Sequence, residues 1–148
     1  MYFIFRHSEK SSYKDKIGEF YHFTNKSPNY KKVKEKCKVL IYKKEINSII
    51  GIAQVGKIRK KKMNSLQHFF VYYEKFIWLK KPLVCNEKFF KKTKMSFKLD
   101  AKLPGIIPIT KQQFNSVLNL IKSKMIKNKQ QKYRIFCLPF TFGIKKEC

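Results

Sequence analysis

Five consecutive residues near the start of the chain, Tyr21-His22-Phe23-Thr24-Asn25, set aromatic rings beside an imidazole and a carboxamide. Such rings stack on nucleobases at roughly 1–3 kcal/mol per base, and a carboxamide reads a base edge through its paired donor and acceptor. Along an extended segment Tyr21, Phe23 and Asn25 fall on one side. Phe23 also reads as core, and His22 as a satisfied polar residue. A second stretch, Arg59-Lys60-Lys61-Lys62, joins Lys26 and Lys57 as cations suited to phosphate oxygens. It reads as a basic loop, solvated or in contact with phosphate.

Catalytic chemistry finds little footing. The three histidines are His7, His22 and His68, and the chain carries no nucleophile elbow, phosphate-binding loop, zinc-protease pair or glycine-rich dinucleotide turn. A metal-dependent nuclease needs clustered carboxylates with a lysine. The fragments Asp100-Ala101-Lys102 and Glu35-Lys36-Cys37-Lys38 are the sort that a lysine-rich chain produces by chance. Nothing in the spacing of Asp15, Glu19, Glu74 and Asp100 gathers them. Cys37, Cys85, Cys137 and Cys148 lie far apart, without the close pairs of a zinc site, and read as buried free thiols. The expectation is a protein that is not an enzyme and holds no metal or cofactor.

The net charge of +26 points to a polyanion, most plainly nucleic acid, bound through phosphate contacts and counterion release. Arginines are only Arg6, Arg59 and Arg134, so 35 − 3 leaves 32 lysines. AT-rich coding favours Lys, Asn, Ile, Phe and Tyr, yet that bias does not by itself hold Asp plus Glu to 9. Hydrophobic content of 43% and aromatic content of 16% exclude a wholly disordered chain. No apolar run approaches the ~18 residues that span a bilayer, and MYFIFRHSEK becomes charged too soon for a secretory signal. A cytoplasmic protein without a membrane partner is expected. At 148 residues the chain reads as one domain, residues 1–148, with a core over 17–127 and a strand or tail over 128–148.

Several elements must position these side chains. Cys37–Lys43 and Ile49–Lys57 read as a hairpin across the polar link Lys44–Ser48, with Val39 and Ile41 on one face and Lys38, Leu40 and Tyr42 on the other. Gly51 and Gly56 mark a bulge or the close approach of a backbone or ligand. Tyr2–Phe5, Glu19–Phe23, Phe69–Tyr73 and Lys75–Leu79 are further strands, with Arg6–Lys16 a loop. Leu83–Leu103 reads as loop with a strand near Met95–Leu99. Thr110 caps the one clear helix, Thr110–Lys127, with Gln113 completing a capping box and Ile109 and Phe114 a hydrophobic staple. Phe114, Val117, Leu118, Ile121 and Met125 form its apolar stripe. Tyr133–Ile144 reads as a last strand broken at Pro139.

The order of these pieces resembles the EVE-type branch of the PUA-like superfamily, relatives of YTH, ASCH and SRA domains. The likeness lies in YHFTN with Pro28 a few residues on, a strand ending in Tyr42, and the run from Gly51 to Ile58. It continues through Phe70–Pro82 and Gly105–Ile121, so it covers most of Glu19 to Ile121. One departure is Lys36-Cys37, where that branch has Gly-Asp. The resemblance implies an α+β fold, a small PUA-like twisted β-barrel of five to six strands with a packed C-terminal helix. It also implies a reader of a modified DNA base in a restriction or defence setting, beside a separate nuclease or motor subunit. A buried base face must leave the duplex to be read. The expected base-binding pocket is therefore Tyr21, His22, Asn25, Tyr42, Gly51 and Trp78. Phosphate contacts are expected from Lys26, Lys57, Arg59, Lys60, Lys61 and Lys62. The alternatives are an RNA-binding PUA-like or YTH-like module, distinguished at the 2′-hydroxyl, and a structural subunit that binds no nucleic acid.

Overall fold

A computed structural model describes residues 1–10, 15–95 and 105–127, the last four by their backbone alone. Runs rich in β-branched and aromatic residues become β1 (Tyr2–His7), β2 (Phe20–Thr24), β3 (Lys38–Lys43), β4 (Ser48–Met63), β5 (Leu66–Val84) and β6 (Ile106–Ile109). They form one sheet in the order β2-β5-β4-β3-β1-β6, antiparallel throughout except for the parallel pair β1 and β3. The barrel expected from the sequence is a curled half-barrel, because no ladder joins its edge strands β2 and β6 among the described residues. Its two sides do approach. The Asn29 Nδ2 donates to the Ile106 carbonyl at 3.1 Å, and the Tyr21 hydroxyl lies against Gly105.

The expected hairpin forms as β3 and β4, joined by a 3-10 turn at Lys44–Ile46 and by Asn47 in the left-handed region. β4 then continues through Arg59–Met63, which corrects the loop expected there. Its partner strand explains why. Phe70 and Phe69 stand opposite Arg59 and Lys60, so long basic stems lie on rings while their charges stay in water. Asn64 and Ser65 both have positive φ, as a tight two-residue hairpin turn requires. The two short strands expected over Phe69–Tyr73 and Lys75–Leu79 are one strand, kinked where Lys75 takes a φ of 53°.

Alternation divides the apolar side chains between two cores. Inside the curl lie Phe3, Phe5, Tyr21, Phe23, Val39, Ile41, Val55 and Val71. On the opposite face Ile4, Leu40, Tyr42 and Ile52 pack under α1 (Glu87–Thr93) and α2 (Lys111–Lys127), which contribute Phe89, Phe114, Val117 and Leu118. Burying each such side chain stabilises by about 1.5–3 kcal/mol. The capping box of α2 is reciprocal. Gln113 N–H donates to Thr110 Oγ1 at 3.0 Å, and Thr110 N–H donates to Gln113 Oε1 at 2.9 Å. Ile109 and Phe114 enter the same cluster, as a staple should.

Helix α1 was not expected. Asn86 caps it by accepting from Phe89 N–H at 3.0 Å, and Phe89 is its buried anchor. Of the strand expected over Met95–Leu99 only Met95 lies among the described residues, and it is buried. The strand expected over Tyr133–Ile144 lies outside them, as do Met125's side chain, Cys137 and Cys148. Cys37 and Cys85 are buried free thiols, and burial pushes Cys85 up to about 12. Among the described residues no helix is long and apolar enough to cross a membrane.

A polar knot sits inside the curl. His7 Nε2 lies 2.8 Å from the Tyr73 hydroxyl, and His7 Nδ1 lies 3.6 Å from Asp15 Oδ2. The other Asp15 oxygen accepts from the backbone N–H of His22 at 2.7 Å. Burial pushes His7 down to about 3; it pushes Asp15 up to about 7, against the lowering effect of the His22 N–H.

Two expectations follow from this packing. A Cβ on Gly51 would meet the Phe76 ring at 2.9 Å and the Ile77 carbonyl at 3.1 Å. Gly51→Ala should destabilise by about 1–3 kcal/mol in urea unfolding, and Phe76→Leu in the same chain should restore part of the loss. Equal losses with and without the Phe76 ring would contradict this packing.

The second concerns pH. Unfolded, Asp15 releases its proton near 3.8 and His7 near 6.5; folded, Asp15 keeps its proton to about 7 and His7 gains one only near 3. Between about pH 4 and 6.5 the pair therefore holds one proton in either state, and its contribution to stability is flat. In Asp15→Asn only His7 remains, and the unfolded chain alone binds its proton in that window. Stability of the variant should then fall on acidification from about pH 6.5, by up to ~1.4 kcal/mol per pH unit. Thermal melts should show its gap from the parent widening as pH drops; a constant gap would contradict the shared proton.

Candidate nucleic-acid interface

The chain after β2 builds one wall of an open groove. Asn29, at φ 69°, turns the backbone into a 3-10 turn at Tyr30–Lys32, and Val33 is buried beneath it. Phe23 of β2, Phe69 of β5, and Ile58 and Lys60 of β4 form the remainder. The cavity between them measures about 710 Å³, with Lys31, Lys34 and Glu35 also lining it.

Its aromatic side chains form a continuous surface. Phe23 stacks on Phe69 with ring centroids 5.3 Å apart, and Tyr30 meets Phe69 at 5.4 Å. Phe23 is buried, whereas Tyr30 and Phe69 are half-exposed. Lys60 Nζ lies 5.9 Å from the Phe69 ring centroid, and Lys31 Nζ lies 5.9 Å from that of Tyr30. Exposed ring faces beside three exposed ammonium groups can stack a flat base while attracting its phosphates. Glu35 is the one carboxylate in the lining.

The six residues expected to form a pocket are spread over the sheet. Tyr21 is 4% exposed and packs inside the curl, its ring 4.7 Å from Phe5 and 4.9 Å from His7. Tyr42 is 1% exposed on the opposite face and donates its hydroxyl to Asn47 Oδ1 at 2.6 Å. Gly51 makes room for the Phe76 ring, so its close approach is to a side chain of this protein. Trp78 is 57% exposed and rests on Gly18, whose φ of 92° carries the chain beneath the indole. Asn25 is exposed beyond β2, its N–H held by the Gln67 carbonyl. His22 is buried away from Tyr21, hydrogen-bonded to His68 at 2.8 Å and stacked on Phe70. These positions do not converge on one cavity.

The basic residues divide by strand alternation. Lys60 enters the groove, whereas Arg59 lies over Tyr72 at 5.4 Å on the other side of the sheet. Lys61 and Lys62 alternate with them along β4, Lys57 is exposed within the same strand, and Lys26 is exposed just beyond β2. Sequence reasoning missed Tyr30, Lys31, Lys34 and Phe69. The signal was present in YKKVKEK, a ring followed by lysines just after Pro28.

No family model and no curated protein matches the sequence. Among solved structures, the chain is similar to the crystal structure of a point mutant of ZmASCH, a protein from Zymomonas mobilis. The TM-score is 0.59 and the identity 9%, over 80% of this chain and 97% of that one. At that identity the likeness concerns the fold alone. The six-stranded curled sheet with its two helices thus resembles an ASCH or PUA-like fold, without the EVE-type branch being singled out.

Proposed function

We propose that this protein is a nucleic-acid-binding module that holds unpaired nucleotides in the groove between the Tyr30 turn and the β4–β5 hairpin. The observation that carries this reading is the joining of half-exposed Tyr30 and Phe69 with exposed Lys31, Lys34 and Lys60 around one cavity of about 710 Å³. The net charge of +26 supports it, because a polyanion gains affinity from released counterions. The PUA-like fold is compatible with it. A base on Tyr30 must already be out of a helical stack, so the partner is a single strand or a base extruded from a duplex. Binding without catalysis is part of the proposal.

The narrower reading, recognition of a modified DNA base in a restriction or defence setting, draws on the motif resemblance. The scattering of Tyr21, Asn25, Tyr42 and Trp78 gives it no cavity of its own, so under it the groove would take the base. One panel separates these readings: matched single-stranded RNA and DNA, and plain, methylated and hydroxymethylated duplexes, titrated by fluorescence anisotropy across a salt series. Single strands should bind more tightly than plain duplex, with log affinity falling linearly in log salt. Tyr30→Ala and Phe69→Ala should each weaken binding about five- to a hundredfold with little change in salt slope. Lys31→Gln, Lys34→Gln and Lys60→Gln should each flatten the slope by about 0.7 on single strands. A preference for a modified duplex would favour the narrower reading. No binding at low salt would leave a structural subunit, and the function proposed here would be wrong.

A further inference from the structure

The opposite face of the same strands carries a second aromatic array that the groove does not use. Cross-strand neighbours place Phe20 beside Tyr72, His22 beside Phe70, Arg59 beside Phe70 and Lys61 beside His68. Directly paired residues point to the same face of a sheet. Ring centroids confirm the continuity: Phe20 lies 5.5 Å from Tyr72 and 5.9 Å from Phe70, and His22 stacks on Phe70 at 4.4 Å with planes 15° apart. The His22–His68 hydrogen bond at 2.8 Å ties the two imidazoles together beside that stack.

These rings are not core. Phe20, Phe70 and Tyr72 are half-exposed, and none of them belongs to the cluster inside the curl or to the one beneath α1 and α2. A row of part-exposed rings beside an edge strand is an association hazard unless something uses it. The charges on this face say what. Arg59 lies over Tyr72, and exposed Lys61 follows it on β4. The next carboxylate along β5, Glu74, is already engaged by Lys36 at 2.7 Å and by Gln54. A second copy of a chain bearing +26 would be repelled. A polyanion with flat, stackable groups fits both the rings and the charges.

We propose that the face formed by Phe70, Tyr72, Arg59 and Lys61 is a second stacking surface for single-stranded nucleic acid. It rests on the function proposed above, and it adds that a bound strand passes the edge strand β2 to reach both faces of the sheet. The surface then requires a strand longer than the groove alone can hold.

The test uses the full chain, with oligothymidylates of four and sixteen nucleotides as probes. Phe70→Leu and Tyr72→Leu keep apolar bulk and remove the ring, and melting curves with Trp78 emission check that each variant is folded. Each should weaken binding of the longer oligomer about five- to tenfold and leave the tetramer unchanged. Arg59→Gln should reduce the salt slope for the longer oligomer only. If Tyr30→Ala weakens binding but folded Phe70→Leu and Tyr72→Leu do not, the second surface is wrong and the groove stands. Should the Leu variants alone weaken it, the outer face stands and the groove is wrong. A shift from dimer to monomer on Phe70→Leu in sedimentation would make this face a self-association or protein surface and overturn the proposal.

Discussion

The pairing of β4 with β5 is the constraint on which the rest depends. Strands of 16 and 19 residues run together along most of their length, and long paired ribbons accumulate right-handed twist. Here the register also slips between Ile49 and Gly51, between Ile52 and Gln54, and between Val55 and Ile58. Each bulge bends the ribbon and increases its local twist. The sheet therefore curls until Asn29, beyond one edge, reaches the Ile106 carbonyl at the other. The enclosed face becomes a core of aromatic rings around the His7–Tyr73–Asp15 knot.

The same ribbon sets the two ends of the sheet apart. One half lies under α1 and α2, where Ile77 and Leu79 of β5 meet the helical core. The far half has β2 beside it, with Phe69 and Phe70 pointing to opposite faces. Lys60 and Arg59, opposite those rings, keep their charges in water, so that half stays wet, basic and aromatic on both sides. The nucleic-acid surface proposed at this end rests on the alternation of four residues, Arg59, Lys60, Phe69 and Phe70, together with the Tyr30 turn that closes the groove.

Local signals were the legible ones. Thr110 with Gln113, and Ile109 with Phe114, announce the start of α2 within five positions, and the geometry is as expected. The β3–β4 hairpin was legible because Val39 and Ile41 alternate cleanly with Leu40 and Tyr42. Reading failed where alternation breaks. Lys75 at positive φ splits one strand into two apparent ones, and Arg59–Met63 looks like loop because its support comes from rings across the sheet. Helix α1 has seven residues, too few for periodicity to show. The residues expected to form one pocket are scattered for the same reason. Tyr21 and Tyr42 were expected in one pocket, but strand parity sends them to opposite faces, and Phe76 fills the space above Gly51. Which aromatic residues remain exposed is a property of the curl, and no single segment encodes it.

The most direct test of this account is photocrosslinking with a single-stranded oligonucleotide carrying 5-iodouracil, followed by mass spectrometry of the linked peptides. Iodouracil couples efficiently to a ring stacked against it. The account predicts linkage to Tyr30 or Phe69, at the end of the sheet where β2, β4 and β5 meet. Linkage confined to Trp78, or to peptides of α1 and α2, would contradict it.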